Sequence, residues 1–155
     1  MIAIIEMPQG CILKYEVNKE DGSLMVDRML NQPVPYNYGY FPGTLQNDGD
    51  PLDVFVIGNI PIHPLTKVRV ELIGVLKCMD NGVEDDKILA IIEGDETGSR
   101  HIGTDIVRSY LTSYKKGFEI LEMGDSEEAH RIYNESLDQY VTSLFPTGTD
   151  FLNGV

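Results

Sequence analysis

The chain has no tryptophan, two cysteines, three histidines and only twelve basic residues against twenty-five acidic ones. Each shortage removes a class of function. Cys11 and Cys78 lack the paired spacing of a zinc site, so buried free thiols are expected rather than a metal knuckle or a disulfide framework. His63, His101 and His130 show no ligand spacing and receive no role. A net charge of −13 argues against a nucleic-acid partner, whose phosphates would be repelled. It does not exclude a phosphate ligand, because divalent ions invert the local field. No apolar run approaches the length of a membrane span. Residues 1–5 are apolar but are followed by Glu6 and Pro8, with no basic leader and no small-residue cleavage site. A cytoplasmic protein with no membrane partner is expected.

What is present suits an ordinary globular protein. The length of 155 residues fits one domain, 1–155, with a full core. Hydrophobic residues make up 42% and charged residues 24%, as in soluble domains. There is no internal repeat and no linker. Alternating or short apolar runs predict strands at residues 2–6, 13–17, 24–29, 52–57, 67–78 and 88–92. Residues 13–17 and 24–29 form a hairpin around Asn18-Lys19-Glu20-Asp21-Gly22-Ser23, and Asn81-Gly82 marks a second turn. Residues 32–43, rich in Pro, Tyr, Asn and Gly, are expected to be an ordered loop.

The period then changes. Ile106, Val107, Tyr110, Leu111 and Tyr114 fall at helical spacing, with Thr104 as N-cap and Asp105 in the first turn. Ala129, Ile132, Tyr133, Leu137, Tyr140, Val141 and Leu144 form a second helical face, with Ser126 as N-cap and Glu127 and Glu128 behind it. The tail from Pro146 has no pattern. Short antiparallel strands followed by two helices predict an α+β fold, the strands most easily closing as a small barrel.

The most informative stretch is Asp48-Gly49-Asp50-Pro51-Leu52-Asp53-Val54. On a straight strand Asp53 would lie roughly 16 Å from Asp48, at about 3.3 Å per residue. That is too far to share an ion. Gly49 tolerates unusual backbone angles and Pro51 fixes its own, so a bend can bring the three acids together. Either this is an acidic surface loop, or a cation neutralises converging carboxylates. Oxygen-only ligands would suit Mg²⁺, Mn²⁺ or Ca²⁺. A calcium EF-hand is excluded, because Leu52, Asp53 and Asn59 stand where its fifth, sixth and twelfth positions need other residues.

Other groups read as surface charge or as parts of a mixed site. Asp80 and Asp85 flank a turn, and Glu6 and Glu16 lie on early strands. Lys14 and Arg28 sit within strands, Lys87 starts one, and Lys115 follows Tyr114. Acids that hold metals, joined by cations, would hold an anion, and phosphate fits that combination. In Tyr36-Asn37-Tyr38-Gly39-Tyr40 the aromatics either pack the loop or present a phenol to a phosphate.

These residues together resemble the family I soluble inorganic pyrophosphatases. The family signature D-[SGDN]-D-[PE]-hydrophobic-D-hydrophobic is met at every position of residues 48–54. Lys14-Tyr15-Glu16, Val26-Asp27-Arg28, the Tyr38 loop, Gly74-Val75-Leu76-Lys77, Asp80 with Asp85 and Lys87, and Tyr114-Lys115 follow in family order. The resemblance implies a five-stranded OB-like barrel with two main helices packed on it. It implies hydrolysis of inorganic pyrophosphate to two phosphates by direct attack of a metal-activated water, with several Mg²⁺ per site. Asp48, Asp53 and Asp85 would hold the tightest metal, with Asp53 bridging to a second. Asp80 and Asp85 would hold a metal arriving with substrate, and Glu6 would act through water. Asp50 would be the general base. Arg28 and Lys87 would offset charge on the leaving phosphate. Lys14, Arg28, Tyr38, Lys87, Tyr114 and Lys115 would bind the phosphoryl groups, with Glu16 supporting. The length is similar to that of the compact bacterial form, which implies a homo-hexamer. One departure stands out. The family usually carries a further Lys and a Trp-containing strand beyond Lys115, whereas this chain has Lys116-Gly117-Phe118-Glu119-Ile120-Leu121-Glu122-Met123. Either the extra phosphate contact is lost or Lys116 substitutes for it. The competing readings are a binding module on the same barrel, a metal-dependent phosphate-binding protein without turnover, and a phosphatase acting on nucleotides or polyphosphate.

Overall fold

Alternating apolar residues build most of this structure, a computed structural model that describes residues 1–18, 20–97 and 100–145. The strands are β1 (Ile2–Met7), β2 (Leu13–Val17), β3 (Leu24–Met29), β4 (Asn37–Tyr40), β5 (Asp53–Val56), β6 (Lys67–Asp80), β7 (Val83–Glu84), β8 (Lys87–Ile92) and β9 (Phe118–Gly124). The helices are α1 (Arg100–Thr112) and α2 (Ser126–Ser143). Strand order runs β1-β4-β5-β8-β6, and β6 pairs again with β1. Five strands thus close into the OB-like ring, antiparallel except for the parallel β5–β8 pair.

The two pleat faces feed two cores. Ile88 and Ala90 join Ala3, Ile5, Val54, Val56, Val70, Leu72 and Val75 in one cluster, drawn from four strands around the ring. Ala129 and Ile132 of α2 pack against it. The alternate residues Leu89 and Ile91 join Phe55, Leu76 and Cys78 in the other, covered by Val107, Tyr110 and Leu111 of α1. A register shift between Leu72 and Gly74 on β6 accounts for the change of inward parity from Leu72 to Val75.

The hairpin β2–β3 has the expected bounds, and its turn is closed by Asn18 N–H to Ser23 O (2.8 Å) and Gly22 N–H to Asn18 O (2.7 Å). Lys19 of that turn and the tail from Pro146 lie outside the described residues. Several expectations need correction. The stretch 32–43 is not all loop, since β4 lies within it. Its Tyr-Gly-Tyr pattern hides the strand because Gly39 has no side chain to alternate. That glycine is required: a Cβ there would lie 1.9 Å from the Ile4 carbonyl oxygen. The strand β9 escaped notice because its pairing with β6 shifts register between Lys77 and Cys78, which breaks the two-residue period. Thr104 is not an N-cap. The helix starts at Arg100, and the Thr104 hydroxyl donates back to the Arg100 carbonyl at 2.8 Å. Tyr114 falls two residues past the end of α1, and Ile106 on it is exposed. The cap of α2 is Asp125, one residue before Ser126; its carboxylate accepts from Glu128 N–H at 2.9 Å. Tyr140, Val141 and Leu144 of the expected apolar face are exposed.

Gly39→Ala forces β4 away from β1 and should cost about 1–3 kcal/mol. A drop in thermal midpoint by several degrees is expected in a melting experiment, and an unchanged midpoint would contradict this account of the strand contact.

Candidate active site

A turn gathers the first acids. Gln46 N–H donates to Asp50 O (2.9 Å), Gly49 N–H to Gln46 O (3.1 Å), and Asp50 N–H to the Asp48 carboxylate (2.9 Å). Gly49 has φ +87°, a left-handed conformation that favours glycine. The buried Thr44 hydroxyl anchors the turn, accepting from Leu52 N–H (2.9 Å) and donating to Phe41 O (2.5 Å). Asp53 then opens β5. The bend expected from Gly49 and Pro51 is present, and Asp48, Asp50 and Asp53 line one cavity of about 310 Å³.

The barrel register supplies the rest. Asp53 lies beside Lys87 in the parallel pair and opposite Tyr40 on β4. Lys87 is almost wholly buried, and its ammonium donates to Asp53 Oδ2 (2.6 Å), Asp85 Oδ1 (2.9 Å) and the Tyr38 hydroxyl (3.1 Å). At the end of β6, Asp80 pairs with Lys115 at 2.7 Å. Glu6 on β1 accepts from Val17 N–H at 3.2 Å, tying the hairpin to the ring. Lys14 lies 3.6 Å from Asp27 and 4.0 Å from Glu16. The Tyr114 ring lines the cavity, flanked by Tyr110 and Phe118 at centroid spacings of 5.7 and 5.5 Å.

Of the residues expected from sequence, Glu6, Lys14, Glu16, Tyr38, Asp48, Asp50, Asp53, Asp80, Asp85, Lys87, Tyr114 and Lys115 all line this cavity. Arg28 does not. It lies in an adjoining groove, where its guanidinium donates to the Tyr114 hydroxyl at 3.4 Å. Lys116 lines that groove too, beside Arg28, and not the cavity. Tyr15, Val17, Tyr40 and Pro51 line the cavity without having been singled out as site residues. Tyr40 was legible as the second neighbour of Tyr38 on one strand face. Tyr15 was not, because the register shift between Lys14 and Tyr15 lets adjacent residues reach the same space.

The charge is unbalanced. Seven carboxylates line the cavity against three ammonium groups. Burial pushes the Asp48 carboxyl up to about 6, and the charges of Asp85, Asp50 and Asp53 add to this against the Asp50 N–H bond. Burial likewise raises Asp85, with Asp53 adding, although Lys87 opposes it. Burial pulls the Lys87 ammonium down, but Asp53, Tyr38 and Asp85 outweigh it, and Lys87 stays charged. Among the described residues no three acids already surround one point as a metal cage, since Lys87 stands between Asp53 and Asp85. The donor set nevertheless fits hard divalent cations: it is all oxygen, rich in carboxylate and short of positive charge.

Comparison with known proteins gives a consistent result. Residues 3–141 match the family model for inorganic pyrophosphatase. The chain is 38% identical over 156 residues to an inorganic pyrophosphatase of Xanthomonas axonopodis pv. citri, spanning 88% of this chain and 87% of that one. It is 35% identical over 159 residues to soluble inorganic pyrophosphatase 2 of Chlamydomonas reinhardtii, spanning 92% and 82%. Among solved structures it is similar to an inorganic pyrophosphatase from Coxiella burnetii, with TM-score 0.83 and 31% identity over 90% of this chain and 94% of that one. One from Neisseria gonorrhoeae has TM-score 0.83 and 28% identity over 90% of each.

The raised carboxyls fix the sign of a pH effect. Asp48 binds its proton more tightly folded than unfolded, so it destabilises the metal-free protein increasingly as pH rises from about 4 through about 6. A bound cation cancels this penalty. The rise in melting midpoint caused by millimolar Mg²⁺ should therefore be larger at pH 7 than at pH 5. Glu128 works in another window: Arg131 and Lys77 hold it down to about 2, and its contribution is lost only as pH falls below about 4.5. Equal Mg²⁺ shifts at both pH values would remove the acid repulsion from the account.

Proposed function

The chain belongs to the inorganic pyrophosphatase family, and from that premise we propose that it hydrolyses inorganic pyrophosphate to two phosphates with Mg²⁺ in the cavity described above. The observation that carries this reading is the convergence of seven carboxylates and three ammonium groups on one cavity. Asp48, Asp53 and Asp85 would hold the tightest ion, Asp80 with Asp85 a further one, and Glu6 would assist through water. Bound there, Mg²⁺ would lower the pKa of a coordinated water and offset phosphate charge. We further propose the whole chain, 1–155, as one such domain, acting in the cytoplasm as a homo-hexamer. No described helix is long and apolar enough to cross a membrane.

The chain's own groups take the remaining work. Asp50 accepts the proton of the attacking water, and its carboxylate makes no hydrogen bond among the described residues that would compete. Lys87, Lys14 and Lys115 bind phosphoryl oxygens, with the phenols of Tyr38 and Tyr114 as donors. Arg28, held against Tyr114 in the adjoining groove, would have to swing over that ring to meet the leaving phosphate. Lys115 must first exchange Asp80 for substrate. Glu16 steadies Lys14. Little covalent chemistry is asked of the protein, and positioning with charge compensation supplies most of the catalysis.

Phosphate release should be measured from pyrophosphate with Mg²⁺, with ATP and tripolyphosphate in parallel. Fast release from pyrophosphate alone is expected. Comparable release from all three would make the protein a broader phosphatase, and no release would make it a phosphate-binding relative. Asp50→Asn should lower turnover about 10²–10⁴-fold, the usual range for a general base. It should keep the Mg²⁺-induced rise in melting midpoint. Near-normal turnover would remove Asp50 as the base.

A further inference from the structure

Four of the seven cavity acids come from two separate segments. Asp48 and Asp50 sit on the turn 46–50, while Asp80 and Asp85 sit on the β6–β7 hairpin and the residues after it. Behind this wall lies a second cavity of about 290 Å³, lined by Gln46, Asn47, Glu84 and Asp86. Neighbouring residues thus face opposite sides: Asp48 and Asp85 front the site, and Asn47, Glu84 and Asp86 line the space behind. With open space behind them, the two segments are not held together by packing at this point.

One side chain joins them. Asn47 Nδ2 donates to Glu84 Oε2 at 2.9 Å. Its Oδ1 accepts from Gln139 Nε2 of α2 at 3.2 Å. The helix also holds the turn at Leu45, whose N–H donates to Ser136 O at 3.0 Å. Among the described residues no other hydrogen bond or ion pair joins residues 46–50 to residues 80–86.

We propose that Asn47 is a positioning residue that sets the separation of the Asp48 carboxylate from Asp80 and Asp85, and thereby the affinity of the site for its divalent cations. The amide suits this place because it both accepts and donates. It draws Glu84 backward, away from carboxylates that already repel. An aspartate at 47 would keep the acceptor for Gln139 but turn a carboxylate on Glu84. The inference rests on the proposed pyrophosphatase reading, and it concerns only how the acids are spaced.

The test is Mn²⁺ binding to the substrate-free protein, followed by electron paramagnetic resonance, beside pyrophosphate hydrolysis as a function of Mg²⁺. Asn47→Ala should weaken Mn²⁺ binding about three- to tenfold, the scale of one net hydrogen bond. It should raise the Mg²⁺ concentration needed for half-maximal rate by a similar factor, with the rate at saturating Mg²⁺ nearly kept. Asn47→Asp should weaken binding further. Glu84→Ala should reproduce the Asn47→Ala effect, and the double variant should be no worse than either single one. If Asn47→Ala lowers the melting midpoint but leaves Mn²⁺ binding unchanged, the residue is merely structural and the proposal falls. Additive losses in the double variant would overturn it as well. A wild-type protein that binds Mn²⁺ without hydrolysing pyrophosphate would overturn the functional reading instead, and the binding comparison would still decide the role of Asn47.

Discussion

Mutual repulsion among carboxylates is the constraint around which the site is organised. Seven acids face one cavity, and three lysines cannot neutralise them. Such a group disperses unless the backbone forces it together and charge of the other sign is supplied. The turn at Gly49, the Thr44 anchor and the parallel β5–β8 register provide the force. Lys87, buried between Asp53, Asp85 and Tyr38, provides part of the charge. Burial, with the neighbouring carboxylates adding to it, raises Asp48 and Asp85 above the ordinary carboxylate range, and the uncompensated negative charge is the physical basis for affinity toward divalent ions.

The barrel serves this arrangement by its topology. In an antiparallel pair the starts of two strands lie at opposite ends. The one parallel pair of the ring places the first residues of β5 and β8, Asp53 and Lys87, side by side. The side-chain face that presents them continues into Phe55, Leu89 and the cover of α1, a dry wall behind a wet cavity. Tyr38 lies at the junction, its ring against Phe55 at 4.7 Å and its hydroxyl on Lys87. Low dielectric on one side strengthens the ion pairs on the other.

Much of this was legible in the sequence. The DGDPLDV stretch announced a bend of acids, and alternation located six ring or hairpin strands to within a few residues. What was not legible has identifiable causes. Gly39 removed a side chain from the alternation, so β4 read as loop, although the glycine is there because the Ile4 carbonyl leaves no room for a Cβ. Register shifts hid β9 and the inward turn of Tyr15. Thr104 looked like a cap because the one apolar residue in the first turn of α1, Ile102, is exposed and falls off the buried face. The pairing of Lys87 with Asp53 depends on strand neighbours that are distant in sequence. Likewise, the place of Arg28 outside the cavity follows from how the hairpin leans on Tyr114, which no local pattern encodes.

The central claim is that water attacks pyrophosphate directly in this acid cavity when a divalent cation is present. The most direct measurement is a single turnover in ¹⁸O-enriched water with enzyme in excess, followed by phosphorus NMR. The account predicts that the pyrophosphate resonance is replaced by phosphate only when Mg²⁺ is present, and that one of each two product phosphates carries a solvent oxygen. Persistence of pyrophosphate with Mg²⁺ present, or transfer of a phosphoryl group to the protein, would contradict it.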